Sequence, residues 1–138
     1  MNYQPAIEGM PEEEETTTIH WGLLYICIGD NRVIKIGRSA TTKGMQRRVT
    51  DHRKHEPTIQ LACHKLVPHV TTEEANLIRY LKDHGAQVSG TKEWFYFDAY
   101  LADRIIDYMS HRGADIEHME REMARIIGLH AHRGWAVG

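Results

Sequence analysis

Two strand-forming runs separated by three residues of turn chemistry constrain this chain more than any other feature. Residues 21–28 are rich in aromatic and β-branched side chains, Gly29-Asp30-Asn31 interrupts them, and residues 32–37 return. The pattern predicts a β-hairpin. A lone hairpin is marginal in water, so further elements must cover it. Residues 58–67 read as a third strand, and Thr41 or Thr42 can cap a helix that runs to about His55 and ends before Pro57. A second helix opens at Thr71-Thr72-Glu73-Glu74, carries Leu77, Ile78 and Leu81 as its apolar stripe, and stops at Gly85. Residues 93–97 form a short aromatic strand or extended segment. Helices over about 99–111 and 115–127 complete the reading.

The expected fold is α+β: a small, mainly antiparallel three-stranded sheet flanked by helices, with a C-terminal helical extension. At 138 residues the length suits one domain. We expect an acidic flexible tail over 1–18, a compact domain over 19–98, and a helical extension over 99–138 packed on or near it. No apolar run reaches the roughly 18 residues of a membrane span. The first residues lack the basic-then-apolar order of a secretory signal. Cys27 and Cys63 each sit in an apolar run, which suits reduced, buried thiols. Together these predict a cytoplasmic protein, in a bacterial or phage-infected cell once the resemblance below is added.

The net charge of −2 conceals an uneven distribution. Residues 1–18 hold five glutamates (Glu8 and Glu12 to Glu15) and no Lys or Arg. Residues 31–55 hold eight basic residues, Arg32, Lys35, Arg38, Lys43, Arg47, Arg48, Arg53 and Lys54, against Asp51 alone. Such a stretch is the footprint of a polyanion site, with a solvated basic face as the bland alternative. The tail could lie over that basic stretch or do nothing there.

The first helix places Arg48 and His52 four residues apart on one face, bordered by Met45 and Val49. Arg47, Arg53 and Lys54 point elsewhere, as phosphate-contacting or solvated groups. Glu74 continues the apolar stripe of the second helix inward. Thr71-x-x-Glu74 is also a capping-box pattern, so Glu74 reads either as a cap or as a carboxylate facing a cleft. The stripe Ile116, Met119, Met123 and Ile126 reads as core or as a dimer face.

These residues resemble a GIY-YIG nuclease domain, in the branch known from phage reading frames and fungal meiotically up-regulated proteins. The resemblance covers about residues 21–98. The family's first motif tyrosine falls on Tyr25 in Gly22-Leu23-Leu24-Tyr25, and its second motif on Lys35-Ile36-Gly37, ten residues later. Its helix arginine falls on Arg48, a position often His or Tyr falls on His52, and its metal-binding glutamate falls on Glu74. Lys35 replaces the second motif's tyrosine, and Trp94-Phe95 stands where many members have an asparagine.

The resemblance implies a metal-dependent endonuclease that hydrolyses DNA phosphodiester bonds. Glu74 would hold one Mg²⁺ or Mn²⁺, which keeps most of its waters. Arg48 would pair with phosphate oxygens. Tyr25 would act as general base or proton relay, with Lys35 supplying the charge that lowers its pKa, and His52 would orient water or phosphate. Arg32, Arg38, Lys43, Arg47, Arg53 and Lys54 would bind the nucleic acid. The expected partner is DNA, with no membrane, and a homodimer through the C-terminal helices is entertained. The alternative is a non-catalytic nucleic-acid-binding or protein-interaction module on the same fold, such as a phage protein acting on host machinery.

Overall fold

The computed structural model describes residues 19–91 and 93–131, so the expected acidic tail lies outside the described residues. The fold is α+β. Its strands are β1 (Gly22–Gly29), β2 (Val33–Ser39), β3 (Gln60–Val67), β4 (Ala86–Gln87) and β5 (Trp94–Tyr96). They form one antiparallel sheet in the order β3-β1-β2-β5-β4, so the sheet has five strands and not three. The helices are α1 (Thr42–His52), α2 (Val70–His84), α3 (Ala99–His111) and α4 (Glu117–His130).

Helices cover both faces of the sheet, which explains why β1 is almost wholly apolar and does not alternate. Leu24, Ile26 and Ile28 enter the larger core with Leu77 and Leu81 of α2, Ile105 and Met109 of α3, and Met119, Met123 and Ile126 of α4. Tyr25 and Cys27 point the other way, into a smaller core with Met45 and Val49 of α1. The methionine-rich stripe of α4 is therefore spent on the protein's own core. No described helix is long and apolar enough to cross a membrane.

The hairpin loop sits one residue later than its composition suggests. Gly29 pairs with Val33, and Arg32 takes the left-handed conformation at φ 55° while its N–H donates to the Gly29 carbonyl at 2.9 Å. This is a three-residue loop closed by an αL residue. Thr58 and Glu56 buttress it, through Asp30 N to Thr58 Oγ1 (2.8 Å) and Asn31 Nδ2 to Glu56 Oε1 (3.1 Å). Thr41 caps α1, its Oγ1 accepting from Gly44 N at 2.9 Å.

The start of α2 departs from the sequence reading. The helix begins at Val70 with His69 as a left-handed N-cap residue (φ 54°) that makes no side-chain cap. Val70 is buried against Gly22, and its N–H donates to the His20 carbonyl. That packing starts the helix ahead of Thr71. The capping box is not formed, and the carboxylate of Glu74 is left for another partner.

Candidate active site

The site is built at the end of the hairpin away from its turn. Tyr25 on β1 pairs with Gly37 on β2, and the phenol end of its ring fills the space that a side chain on Gly37 would need. Glycine in the second motif is thus a packing requirement imposed by the tyrosine of the first. One turn of α1 separates Arg48 from His52, while Met45 and Val49 anchor that helix in the small core. Arg48 acts on the Tyr25 hydroxyl by charge and by hydrogen bonding, both of which favour its ionised form. Glu74 reaches the same hydroxyl's surroundings from α2, on the opposite face of the sheet.

Burial pushes the Tyr25 hydroxyl up to about 12; the Cys27 and Glu74 charges add to the rise, and Arg48 only partly offsets it. At neutral pH the hydroxyl keeps its proton. The cation acting on Tyr25 is Arg48, whereas the sequence reading assigned that part to Lys35. Lys35 stands opposite Cys27 in the ladder and opposite Trp94 on β5, and its ammonium is bonded to Glu93 Oε1 at 2.7 Å. It affects Cys27 and His52 electrostatically. Its departure from Tyr25 has a simple cause: residues two apart on a strand share a face but stand about 7 Å apart.

His52 is held below its ordinary range by burial first and by the Lys35 charge second. Its ring meets the Trp94 ring edge-on, with centroids 5.5 Å apart and an interplanar angle of 84°. His52 Nε2 is buried and has no hydrogen-bond partner. A buried, unpaired ring nitrogen beside two cations is a natural acceptor for a water or a phosphate-borne proton.

Glu74 Oε1 accepts from Arg38 Nε at 2.8 Å, with the Glu74 side chain 21% exposed. Among the described residues no group of three or more His, Cys, Asp or Glu is arranged to hold a metal. Glu74 is the carboxylate that would hold a cation here, with water and phosphate in the remaining positions. That donor set fits a hard ion such as Mg²⁺, which gives up its waters reluctantly.

The other basic residues divide by position. Lys43 and Arg47 are exposed on α1. Arg38 joins the site through Glu74. Arg32 sits in the turn, one residue beyond the last ladder pair and five residues, roughly 17 Å, from the Tyr25 partner Gly37, with its guanidinium 4.9 Å from the centre of the Tyr96 ring. Arg53 donates to the Ile59 carbonyl at 3.1 Å, and Lys54 pairs with Asp51 at 3.7 Å. Sequence reasoning missed Glu93 as a site neighbour and saw Trp94 only as a departure. The signal was the pairing of β5 with β2, which no local pattern announces.

Residues 22–110 match the model of the T5orf172 domain, a span that runs from the first residue of β1 almost to the end of α3. No curated protein and no solved structure matches the chain.

Proposed function

Starting from the fact that this chain belongs to the T5orf172 domain family, a phage-type family compatible with nucleic-acid work, we propose that it is a metal-dependent endonuclease of the GIY-YIG type acting on DNA. The observation that carries this reading is that one buried hydroxyl, on Tyr25, lies under the joint influence of Arg48 from α1 and Glu74 from α2.

Hydrolysis of a phosphodiester needs a positioned water, charge stabilisation at phosphorus and an exit for the leaving oxygen. Arg48, exposed at the rim, takes two phosphate oxygens and favours the more highly charged transition state. Tyr25, protonated at neutral pH, donates its proton to a phosphate oxygen or passes it along a chain through water. Its relay role fits better than that of a free general base, because a pKa of about 12 leaves little phenolate near neutrality. His52, neutral and with Nε2 unpaired, accepts a hydrogen bond from the attacking water. Glu74 would hold Mg²⁺ or Mn²⁺, which when bound polarises the phosphate and lowers the pKa of water. Arg38, Lys43 and Arg47 neutralise flanking phosphates.

A non-catalytic module that binds nucleic acid or a host protein draws support from one observation: Arg38 already neutralises the carboxylate that the metal requires. Plasmid cleavage with and without Mg²⁺ or Mn²⁺, beside Glu74→Gln, separates the two. Cation-dependent nicking that Glu74→Gln removes supports the enzyme; binding without cleavage under both cations supports the module.

A further inference from the structure

Beside the site, and sharing Lys35 with it, lies a cavity of about 550 Å³ bordered by Val33, Lys35, Val88, Thr91, Glu93 and Trp94. We infer that this cavity receives a single unstacked nucleobase, so that the preferred substrate is a nucleic acid with one base out of its helix. The inference rests on the nucleic-acid part of the reading above and adds a substrate class to it.

The cavity's size falls within the range of pockets that enclose small organic groups. Its walls are the indole of Trp94 and the aliphatic side chains of Val33 and Val88, and its rim carries an ammonium and a carboxylate 2.7 Å apart. His55 and Glu56 close another side, the Glu56 carboxylate being held by Asn31 and Thr58. An aromatic wall stacks on any base, because every base has a π-face. The rim pair offers one donor and one acceptor to a base edge. An all-apolar ligand would gain nothing from that pair.

Trp94 is fixed before any ligand arrives. Its backbone is paired with Lys35 across β2 and β5, and its ring is met by the His52 ring at 84°. A preset ring loses little freedom on stacking. The cavity also lies at the correct reach. Lys35 and Gly37 are two residues apart on one face of β2, and the Tyr25 ring leans over Gly37, so the Trp94 wall on the next strand is about 7 Å along and about 5 Å across the sheet from that ring. A phosphate at Arg48 and Tyr25 thus has its neighbouring nucleotide over the cavity. Inside a duplex that base is stacked and paired, and it enters only by leaving the helix.

The test reads binding in EDTA, where cleavage plays no part. The full-length protein is titrated by fluorescence anisotropy against three labelled DNAs of one sequence: a paired duplex, the duplex with a one-nucleotide bulge, and that bulge made abasic. The bulged DNA should bind about tenfold tighter than the duplex, within the range of one stacked base, and the abasic bulge should fall back to the duplex value. Trp94→Ala should erase the difference and keep duplex affinity, while Trp94→Phe should retain most of it. Val88→Trp, which fills the cavity from the loop side and leaves the Trp94–His52 contact alone, should erase it too. Equal affinity for the bulge and its abasic form overturns the inference alone, as does an equal loss on all three DNAs in both cavity variants. Failure to bind any of the three overturns the inference together with the nucleic-acid reading beneath it.

Discussion

Tyr25 and Gly37 are cross-strand partners in which one residue's ring fills the space the other lacks a side chain to occupy. The contact is local to the hairpin, yet it decides where the phenol points. Gly37→Ala should push the ring away from Arg48 and cost about 1–3 kcal/mol of stability, the range for overpacking a filled site. The expected result is a folded protein melting several degrees lower, with cleavage lost and DNA affinity kept. Full activity at an unchanged melting temperature would mean that the ring has room elsewhere.

Glu74→Gln keeps an oxygen for Arg38 and removes the charge. Because α2 starts at Val70 without a Thr71 capping box, the change costs only the charge of one partly exposed ion pair and should lower the melting temperature by no more than a few degrees. Cleavage under Mg²⁺ should vanish while DNA binding holds or rises slightly. Surviving cleavage would remove Glu74 from the chemistry.

Glu93 holds the Lys35 ammonium with its own side chain 55% exposed while that of Lys35 is only 12% exposed, so a phosphate reaches this cation only where the Glu93 carboxylate gives way. The hydrogen bond and charge of Lys35 keep the Glu93 carboxyl below its usual range, and it is therefore ionised wherever DNA binds. Glu93→Gln should tighten DNA binding and steepen its fall with salt, since one more phosphate is neutralised. Affinity and salt slope identical to the wild type would show that Lys35 never meets the backbone.

His52 supplies a dependence on pH with a definite sign. Its folded-state pKa lies below 6.5, chiefly through burial and then through Lys35. Between the folded and unfolded values the unfolded chain binds the extra proton, so stability falls as the pH drops below about 6.5. The chain has 10 histidines, so the comparison with His52→Gln is what isolates this one. Chemical denaturation from pH 8 to pH 5 should show a steeper loss in the wild type than in the variant. Parallel curves would mean that His52 titrates alike folded and unfolded.

The elements that could be read from the sequence are those whose signals are local. The hairpin, α1 and α3 announce themselves by local periodicity, and α1 also by Thr41 at its cap. Tyr25, Arg48 and Glu74 could be nominated together because motif order and helix spacing survive without any tertiary contact. What stayed hidden depends on distant partners. β4 is two exposed residues, Ala86 and Gln87, that form a strand only by pairing with β5. Glu93 and Trp94 meet Lys35 only because β5 docks beside β2. The start of α2 misled for the same reason: Thr71-x-x-Glu74 has the letters of a cap, but the burial of Val70 against Gly22 moved the helix ahead of it.

The T5orf172 match ends at residue 110, but the folding unit does not. α4 seals the larger core with Met119, Met123 and Ile126, and it clasps the far end of the hairpin: Arg125 Nη2 donates to Asp30 Oδ1 at 2.7 Å and His130 Nε2 to the Asp30 carbonyl at 2.8 Å. An expression boundary drawn where the family match stops would expose that core and free the turn of the strand pair that carries Tyr25. For anyone trimming, fusing or grafting this domain, the smallest portable piece includes α4, and the seam belongs after it.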